Sequence, residues 1–413
     1  MEEKDSTCRY FVKRKNRYCR MTVKKGNKFC GEHQQNSINS NDIEISENCK
    51  KRIQCPLDPT HTCYQSKLAK HLTICNARKI LDSQPAYIIK NINVDKETEE
   101  IPRLLPLSQL DVSIINDIIL RINEAYEKLT EIPNAVLHHD ILTNTLNVSS
   151  CGKYGKKHLT QNSSLLAHLD KAKLVNDNTC YIEFGAGKGD LTYWLAQVAK
   201  EKEDSCILLV DRSSHRHKND NKLKKEQHNI YVKRIRADIA DLQLGSIPEI
   251  KRFINKVGIA KHLCGTATDL AIRCLTQAID NKSIGNNYGL VIAFCCHHKC
   301  EYKSYIGKEY LNKCKFLPNE FPILCSIASW ATCGFNIKND TELKKDENET
   351  TKSNEKNMQF NERQLIGYKV KTLLNWGRLE YLQNIGFEGC LYRYISSDVS
   401  LENMCIVAKY SVR

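Results

Sequence analysis

One segment narrows the possible folds more than any other. Thr179-Cys180-Tyr181-Ile182-Glu183-Phe184 is an apolar run that breaks into Gly185-Ala186-Gly187-Lys188-Gly189-Asp190 and resumes in the helical pattern Leu191-Thr192-Tyr193-Trp194-Leu195-Ala196. A strand, a glycine turn and a helix make the first half of a doubly wound α/β nucleotide-binding fold. The glycines let the backbone turn sharply and approach a ligand without Cβ clashes. The spacing is GxGxG, not the GxGxxG of a dinucleotide site, and Glu183 stands just before it. A carboxylate there would repel pyrophosphate but suits the cationic amino-acid end of S-adenosylmethionine.

The following strands carry acids at their ends. Cys206-Ile207-Leu208-Leu209-Val210 ends in Asp211, 24 residues after Gly187, and Tyr231 to Ala237 ends in Asp238. Asp211 is placed to accept from ribose hydroxyls and Asp238 from an adenine amino group; the plainer alternative is that such residues cap the next helix. Glu183, Gly185, Gly187, Gly189, Asp211 and Asp238 are therefore the donor-binding candidates. Strands follow at 256–260 and 289–294, and 389–395 with 404–410 reads as an antiparallel pair. Five parallel strands closed by a hairpin is the layout of a class I, Rossmann-like, seven-stranded methyltransferase domain.

Cysteine usage points to metal at the front of the chain. Of 20 cysteines, seven (8, 19, 30, 49, 55, 63, 75) fall within residues 1–80. The same stretch carries 17 Lys/Arg and 8 Asp/Glu, hence +9 of the total +14. Clustered cysteines in a reducing compartment favour metal over disulfides, and a basic head suits a polyanion. Cys8-x10-Cys19-x10-Cys30-x2-His33 supplies the four N/S ligands of a zinc tetrahedron. A second set is Cys55, His61, His71 and Cys75, in which the four-residue step from His71 to Cys75 places two ligands on one helix face. Cys49 or Cys63 could replace a ligand of this set.

These readings divide the chain into a CCCH finger over 1–35, a CHHC finger over 50–80, an extended linker and amphipathic helix over 81–135, and the methyltransferase domain over 136–413. The helix opens at Ser108-x-x-Asp111 and repeats Leu110, Ile114, Ile118, Ile122 and Tyr126 before Pro133, with packing against the main domain its plainer role. Residues 336–362 read as a disordered insertion. Lys369, Lys371, Trp376, Arg378 and Tyr381 mix cations with aromatics, as an RNA-holding surface or, more plainly, a solvated amphipathic helix would. The longest apolar stretch, Tyr288 to Cys296, is far below the ~20 residues that span a bilayer. Met1-Glu2-Glu3-Lys4-Asp5 has no apolar signal core. A soluble intracellular protein, cytoplasmic or nuclear, with no membrane partner, is expected.

In order, the two fingers and the motifs FGAGKGDLT (184–192), AKHLCGTATDL (260–270), AFCCHHKC (293–300) and SWATCG (329–334) resemble one family closely. It is the eukaryotic tRNA 2′-O-methyltransferases that act on nucleotide 4 of the acceptor stem. His158 to Ser164 also resembles that family's approach to the donor pocket. The resemblance implies S-adenosylmethionine as donor, two structural Zn2+ ions, and cytidine or adenosine ribose in the acceptor stem of certain tRNAs as acceptor.

Transfer of a methyl group to a ribose hydroxyl needs a base or orienting donors near the ends of the fourth and fifth strands. Many ribose methyltransferases place Lys and Asp there, whereas this chain offers Lys261-His262 and His297-His298. His262 and His297 are the candidates for base or orienter, and Lys261 for charge stabilisation; packed turns that shape the pocket are the alternative. No Asn/Asp-Pro-Pro-aromatic motif follows the fourth strand, which disfavours exocyclic-amine methylation. Two other functions stay open: an RNA pyrimidine C5-methyltransferase using Cys264, Cys295 or Cys296 as nucleophile, and a catalytically inactive RNA-binding protein. Cys295, Cys296, His297, His298 and Cys300 could also crowd around a metal.

Overall fold

The computed structural model describes residues 7–12, 17–23, 26–30, 33, 52–78, 83–96, 101, 107–147, 152–213, 215, 219–226, 230–279, 286–332 and 350–411. The chain divides into two compact units, Met1–Pro85 and Ala86–Arg413.

The first unit has little regular structure. A two-residue pair, β1 (Phe11–Val12) and β2 (Arg17–Tyr18), is antiparallel. A second antiparallel pair, β3 (Arg52–Cys55) and β4 (Asp58–Tyr64), is followed by helix α1 (Leu68–Ile74). Apart from cysteines, no hydrophobic side chain of this unit is buried among the described residues. With no apolar core to hold it, the unit depends on ligand chemistry for its stability.

The second unit is built on a seven-stranded sheet in the order β10-β11-β9-β8-β5-β6-β7. Strands β5 (Thr179–Phe184), β6 (Cys206–Val210), β7 (Tyr231–Ile235), β8 (Asn255–Cys264) and β9 (Asn287–Cys295) are parallel. Strand β11 (Met404–Ser411) lies antiparallel between β9 and β10 (Glu388–Arg393). This is the expected α/β methyltransferase sheet. Its inner strands are largely apolar without alternation because both faces are covered: Ile182, Phe184, Leu208 and Ile292 enter one core, and Tyr181, Ile207, Leu209 and Val291 the other.

From β5 the chain runs outward through β6 and β7, then returns to the other side of β5 as β8. That reversal opens a crevice beyond the carboxyl ends of β5 and β8, where ligands of such sheets bind. Helix α3 (Lys153–Lys171) precedes β5, α4 (Asp190–Val198) follows the glycine turn, α5 (Thr266–Thr276) follows β8, and α6 (Phe321–Ala328) comes after β9.

Four expectations change. Residues 86–95 are not an extended linker: Ile88 bridges to Leu242, and buried Asn93 donates to the Ile239 and Leu242 carbonyls at 2.6 and 2.8 Å. Helix α2 (Val112–Glu127) is capped by Asp111, which accepts from the Ser113 amide at 2.8 Å, and not by Ser108; its Ile118 and Ile122 are buried with Phe321, Ile323 and Leu374. Finally, 350–362 begins helix α7 (Thr350–Asn384) instead of belonging to a disordered insertion; residues 333–349 lie outside the described residues. Helix α7 is not a solvated face either, since Lys371 and Arg378 are both buried.

Candidate active site and metal centres

Two of the sequence quartets come together in space. Cys8, Cys19, Cys30 and His33 hold their ligand atoms within 4.8 Å of one another, as do Cys55, His61, His71 and Cys75. Zinc bonds of ~2.0–2.3 Å place tetrahedral ligands roughly 3.3–3.8 Å apart. In the second centre Cys55 Sγ to Cys75 Sγ is 3.9 Å, His71 Nε2 to Cys55 Sγ 3.2 Å, Cys75 Sγ to His61 Nε2 3.5 Å, and the two Nε2 atoms are 3.1 Å apart. Asp58 Oδ2 stands 3.5 Å from His61 Nδ1, the carboxylate that commonly backs a zinc-binding imidazole and leaves Nε2 for the metal. In the first centre His33 Nδ1 lies 3.5 Å from Cys8 Sγ and 3.3 Å from Cys30 Sγ, with its ring stacked on Tyr10 at 4.0 Å. Both donor sets fit zinc. Cys63 is buried in β4 outside the second quartet, and Cys49 lies outside the described residues.

At the crevice, Gly185, Gly187 and Gly189 all have positive φ (67°, 53°, 81°). A Cβ on Gly185 would strike Leu263 Cδ1 at 2.9 Å, whereas one on Gly187 would meet nothing within 4 Å. The loop is thus tight towards β8 and open outward, which suits the backbone-lined side of a donor pocket. Asp211 accepts from the Gly187 amide at 2.8 Å and the Ser213 amide at 2.7 Å, so it anchors the loop as well as lining the crevice. Asp238 accepts from the Ala240 amide at 3.0 Å, the capping role weighed against adenine recognition. Glu183 is buried and accepts from the Thr192 amide at 2.9 Å and from the Thr192 hydroxyl. Burial raises its carboxyl to about 7, against the pull of Thr192 and Lys261.

The strand opposite is irregular at the point that matters. Between Ala260 and Leu263 the register of β8 against β9 slips, so Lys261 and His262 together face the single residue Ala293. Such a bulge re-aims side chains at sheet ends, and His262 takes the strained φ of 58°. Neighbours in a regular strand point to opposite faces; here both reach helix α3. Lys261 Nζ donates to Asn162 Oδ1 at 2.5 Å and to the His158 carbonyl at 3.3 Å. His262 Nε2 donates to Gln161 Oε1 at 3.0 Å, which leaves Nδ1 as its basic nitrogen. Burial pulls the Lys261 amine down to about 8, opposed by Asp190 and Glu183, and burial beside Lys261 pulls His262 down to about 4. Gln161 Nε2 is buried without a hydrogen-bond partner, and such an orphaned donor marks a place for a ligand acceptor.

Sequence reasoning placed Gln161 and Asn162 in the run His158 to Ser164 that resembles the approach to the donor pocket, but gave neither of them a role. The signal was the polar run Gln161-Asn162-Ser163-Ser164 inside a helix, every member of which is fully buried. His297 lies elsewhere: it is buried, hydrogen-bonded to Asn375 Oδ1 at 2.8 Å, and uncharged because burial and the nearby Lys371 and Arg378 cations depress its pKa strongly. Cys264, Cys295 and Cys296 gather at the ends of β8 and β9. A cavity of about 900 Å³ lined by Glu203, Tyr231, Glu249 and Arg252 opens at the amino ends of the strands and brings none of these groups together.

A family model described as Methyltransferase TRM13 matches residues 160–409. Models described as the CCCH zinc finger in TRM13 protein and the U11-48K-like CHHC zinc finger match 6–34 and 52–76. The chain is 34% identical over 464 residues to the Mus musculus protein named tRNA:m(4)X modification enzyme TRM13 homolog, covering 98% of this chain and 94% of that one. It is 33% identical over 466 residues to the Homo sapiens protein of the same name, with the same two coverages. Against tRNA:m(4)X modification enzyme TRM13 of Yarrowia lipolytica identity is 29% over 381 residues, covering 87% of this chain and 81% of that one.

Proposed function

Since this chain belongs to the TRM13 methyltransferase family, an S-adenosylmethionine-dependent class with two zinc fingers, we propose that it methylates the ribose 2′-oxygen of nucleotide 4 in the acceptor stem of certain tRNAs. The relatives are named as tRNA:m(4)X modification enzymes, and cytidine or adenosine is the expected acceptor. Bound S-adenosylmethionine supplies an electrophilic methyl group. The glycine loop and Asp211 would hold the donor's amino-acid and ribose portions, with Glu183 a buried acid at the strand end just before the loop.

The observation that carries the chemistry is Lys261. A ribose hydroxyl is a poor nucleophile until its proton leaves, and an ordinary lysine is too protonated at neutral pH to take it. A lysine brought down to about 8 is a competent base. With donor bound, the Lys261 amine would take the 2′-hydroxyl proton while the methyl carbon exchanges its bond to the donor sulfur for one to that oxygen, so that the donor leaves as the thioether S-adenosylhomocysteine and Lys261 ends as an ammonium held by Asn162. His262 is uncharged and fixed by Gln161, so it orients the acceptor through Nδ1. His297, enclosed against Asn375, braces the end of β9 and touches no substrate. The basic fingers would dock A-form RNA by its backbone and shape.

The test is incubation of zinc-loaded protein with radiolabelled donor and total tRNA, followed by nuclease mapping. An alkali-resistant dinucleotide from the acceptor stem is expected. A label on pyrimidine C5 would replace this reading with one centred on Cys264, whose exposed thiol is held at about 6 chiefly by its hydrogen bond with Cys295.

A further inference from the structure

Three thiols outside both fingers meet at the carboxyl ends of β8 and β9. Cys264 and Cys295 are register partners across the two strands, their sulfurs 2.9 Å apart, and all three sulfurs including Cys296 lie within 4.8 Å of one another. Cys295 is buried, Cys296 is half-buried and Cys264 is exposed, so the cluster has a closed floor and an open mouth.

The backbone around the cluster is held in costly conformations. Cys296 has φ 52°, a region that side chains other than glycine enter rarely. Gly265 has φ 55°, and a Cβ there would lie 2.6 Å from the Lys299 carbonyl oxygen, so the turn after β8 is pressed against the turn after β9. The Gly265 amide donates to the Cys295 carbonyl at 3.1 Å, and the Lys299 amide to the Cys296 carbonyl at 2.8 Å. The Cys296 amide donates to Glu402 Oε1 at 3.3 Å, while Glu402 Oε2 accepts from Lys371 at 2.6 Å. Three sulfurs are thereby brought to one point by two strand ends, a strained residue and a fixed carboxylate. A cluster held only by hydrogen bonding between sulfurs gains little from that arrangement; three thiolates around a soft cation gain a great deal.

We propose that Cys264, Cys295 and Cys296 form a third metal site that takes a thiophilic divalent cation, Zn2+ first among them, and cross-ties β8 to β9 beside the acceptor side of the crevice. The three sulfurs supply three corners of a tetrahedron, and the fourth, on the exposed side of Cys264, is left to solvent. Binding needs the Cys264 and Cys295 sulfurs to spread from 2.9 Å to the roughly 3.8 Å of two zinc thiolates. Occupancy also takes all three thiols out of nucleophilic chemistry.

Zinc per chain would be measured by plasma mass spectrometry on full-length protein purified under reducing conditions. The expected content is three equivalents, falling to two in Cys264→Ser/Cys295→Ser/Cys296→Ser, while Cys55→Ser loses a different equivalent. If the triple variant does not fold, Cys264→Ser alone is titrated with a chromophoric chelator; one equivalent should leave at lower chelator concentration, with the other two unchanged. Two equivalents in the unsubstituted protein, with or without a Cys264–Cys295 disulfide in the peptide map, would overturn the proposal. So would a chelator titration that Cys264→Ser leaves unaltered.

Discussion

A lysine works as a base only where its surroundings make the ammonium uncomfortable. For Lys261, burial brings the pKa to about 8, and the rate should follow the neutral fraction. Single-turnover methyl transfer should therefore rise about tenfold per pH unit up to about 8 and then level off. Lys261→Arg, which cannot lose its proton, should lower the rate about 10²–10⁴-fold and flatten the profile, with donor affinity little changed. Glu183 runs the opposite way. Its folded pKa of about 7 lies above the ordinary carboxyl value, so stability is full below about pH 4.5 and declines as pH rises through 7, by on the order of 3 kcal/mol. Glu183→Gln should thus melt higher than the unsubstituted protein at pH 8 and equally at pH 4, while binding donor more weakly; calorimetry reads both. At this scale the sequence revealed residue types but not burial. It placed Lys261 and His262 together and offered the histidines as base or orienter; nothing in KHLCG shows that burial brings the imidazole to about 4 and the amine to about 8, the contrast on which the proposed assignment of the base to Lys261 rests. It also offered His297, whose enclosure by Asn375 depends on a helix 78 residues further on.

Secondary structure was the more legible layer. Thr179–Phe184 and Cys206–Val210 occupy the spans expected of them, because a strand covered on both faces reads as an uninterrupted apolar run. Strand β8 ran past its expected end at Ala260 to Cys264, since a bulge breaks the apolar pattern without ending the pairing. Asp238 was legible as an acid at a strand end, but only hydrogen bonding could reveal it as a cap. Helix α7 was misread for a reason with energetic consequences. Its Arg378 is buried, forms a two-pronged pair with Asp269 of α5 at 3.0 and 2.7 Å, and also donates to Asn375 Oδ1 at 2.9 Å. A cation in a sequence reads as surface until its partner, here 109 residues away, is known. Removing one member strands a buried charge, so Arg378→Met should cost about 3–5 kcal/mol in urea unfolding. Asp269→Leu/Arg378→Met should cost less than Arg378→Met alone.

On the proposed function, the means of holding RNA and the means of modifying it are separate along the chain. Unit Met1–Pro85 holds both candidate zinc quartets and, among its described residues, no buried hydrophobic side chain besides cysteines, whereas Ala86–Arg413 has the sheet and the crevice. Cys55→Ser should therefore weaken tRNA binding about tenfold or more and reduce its salt dependence, while donor affinity measured by calorimetry stays within experimental spread. Salt slopes that match between variant and unsubstituted protein would remove the fingers from RNA docking. The strand order also sets a schedule. Strands β5, β6 and β7 follow one another in the chain, but β8, which closes the crevice against β5, comes only after them, and β11 must then slot between β9 and β10. During synthesis the fingers leave the ribosome before the sheet and can fold as soon as zinc reaches them. The glycine loop follows, and the wall that carries Lys261 later still. With the fingers docking RNA as proposed, a nascent chain would grip its substrate well before it has a place to put the methyl donor, and competence for chemistry would be among the last properties the growing polypeptide acquires.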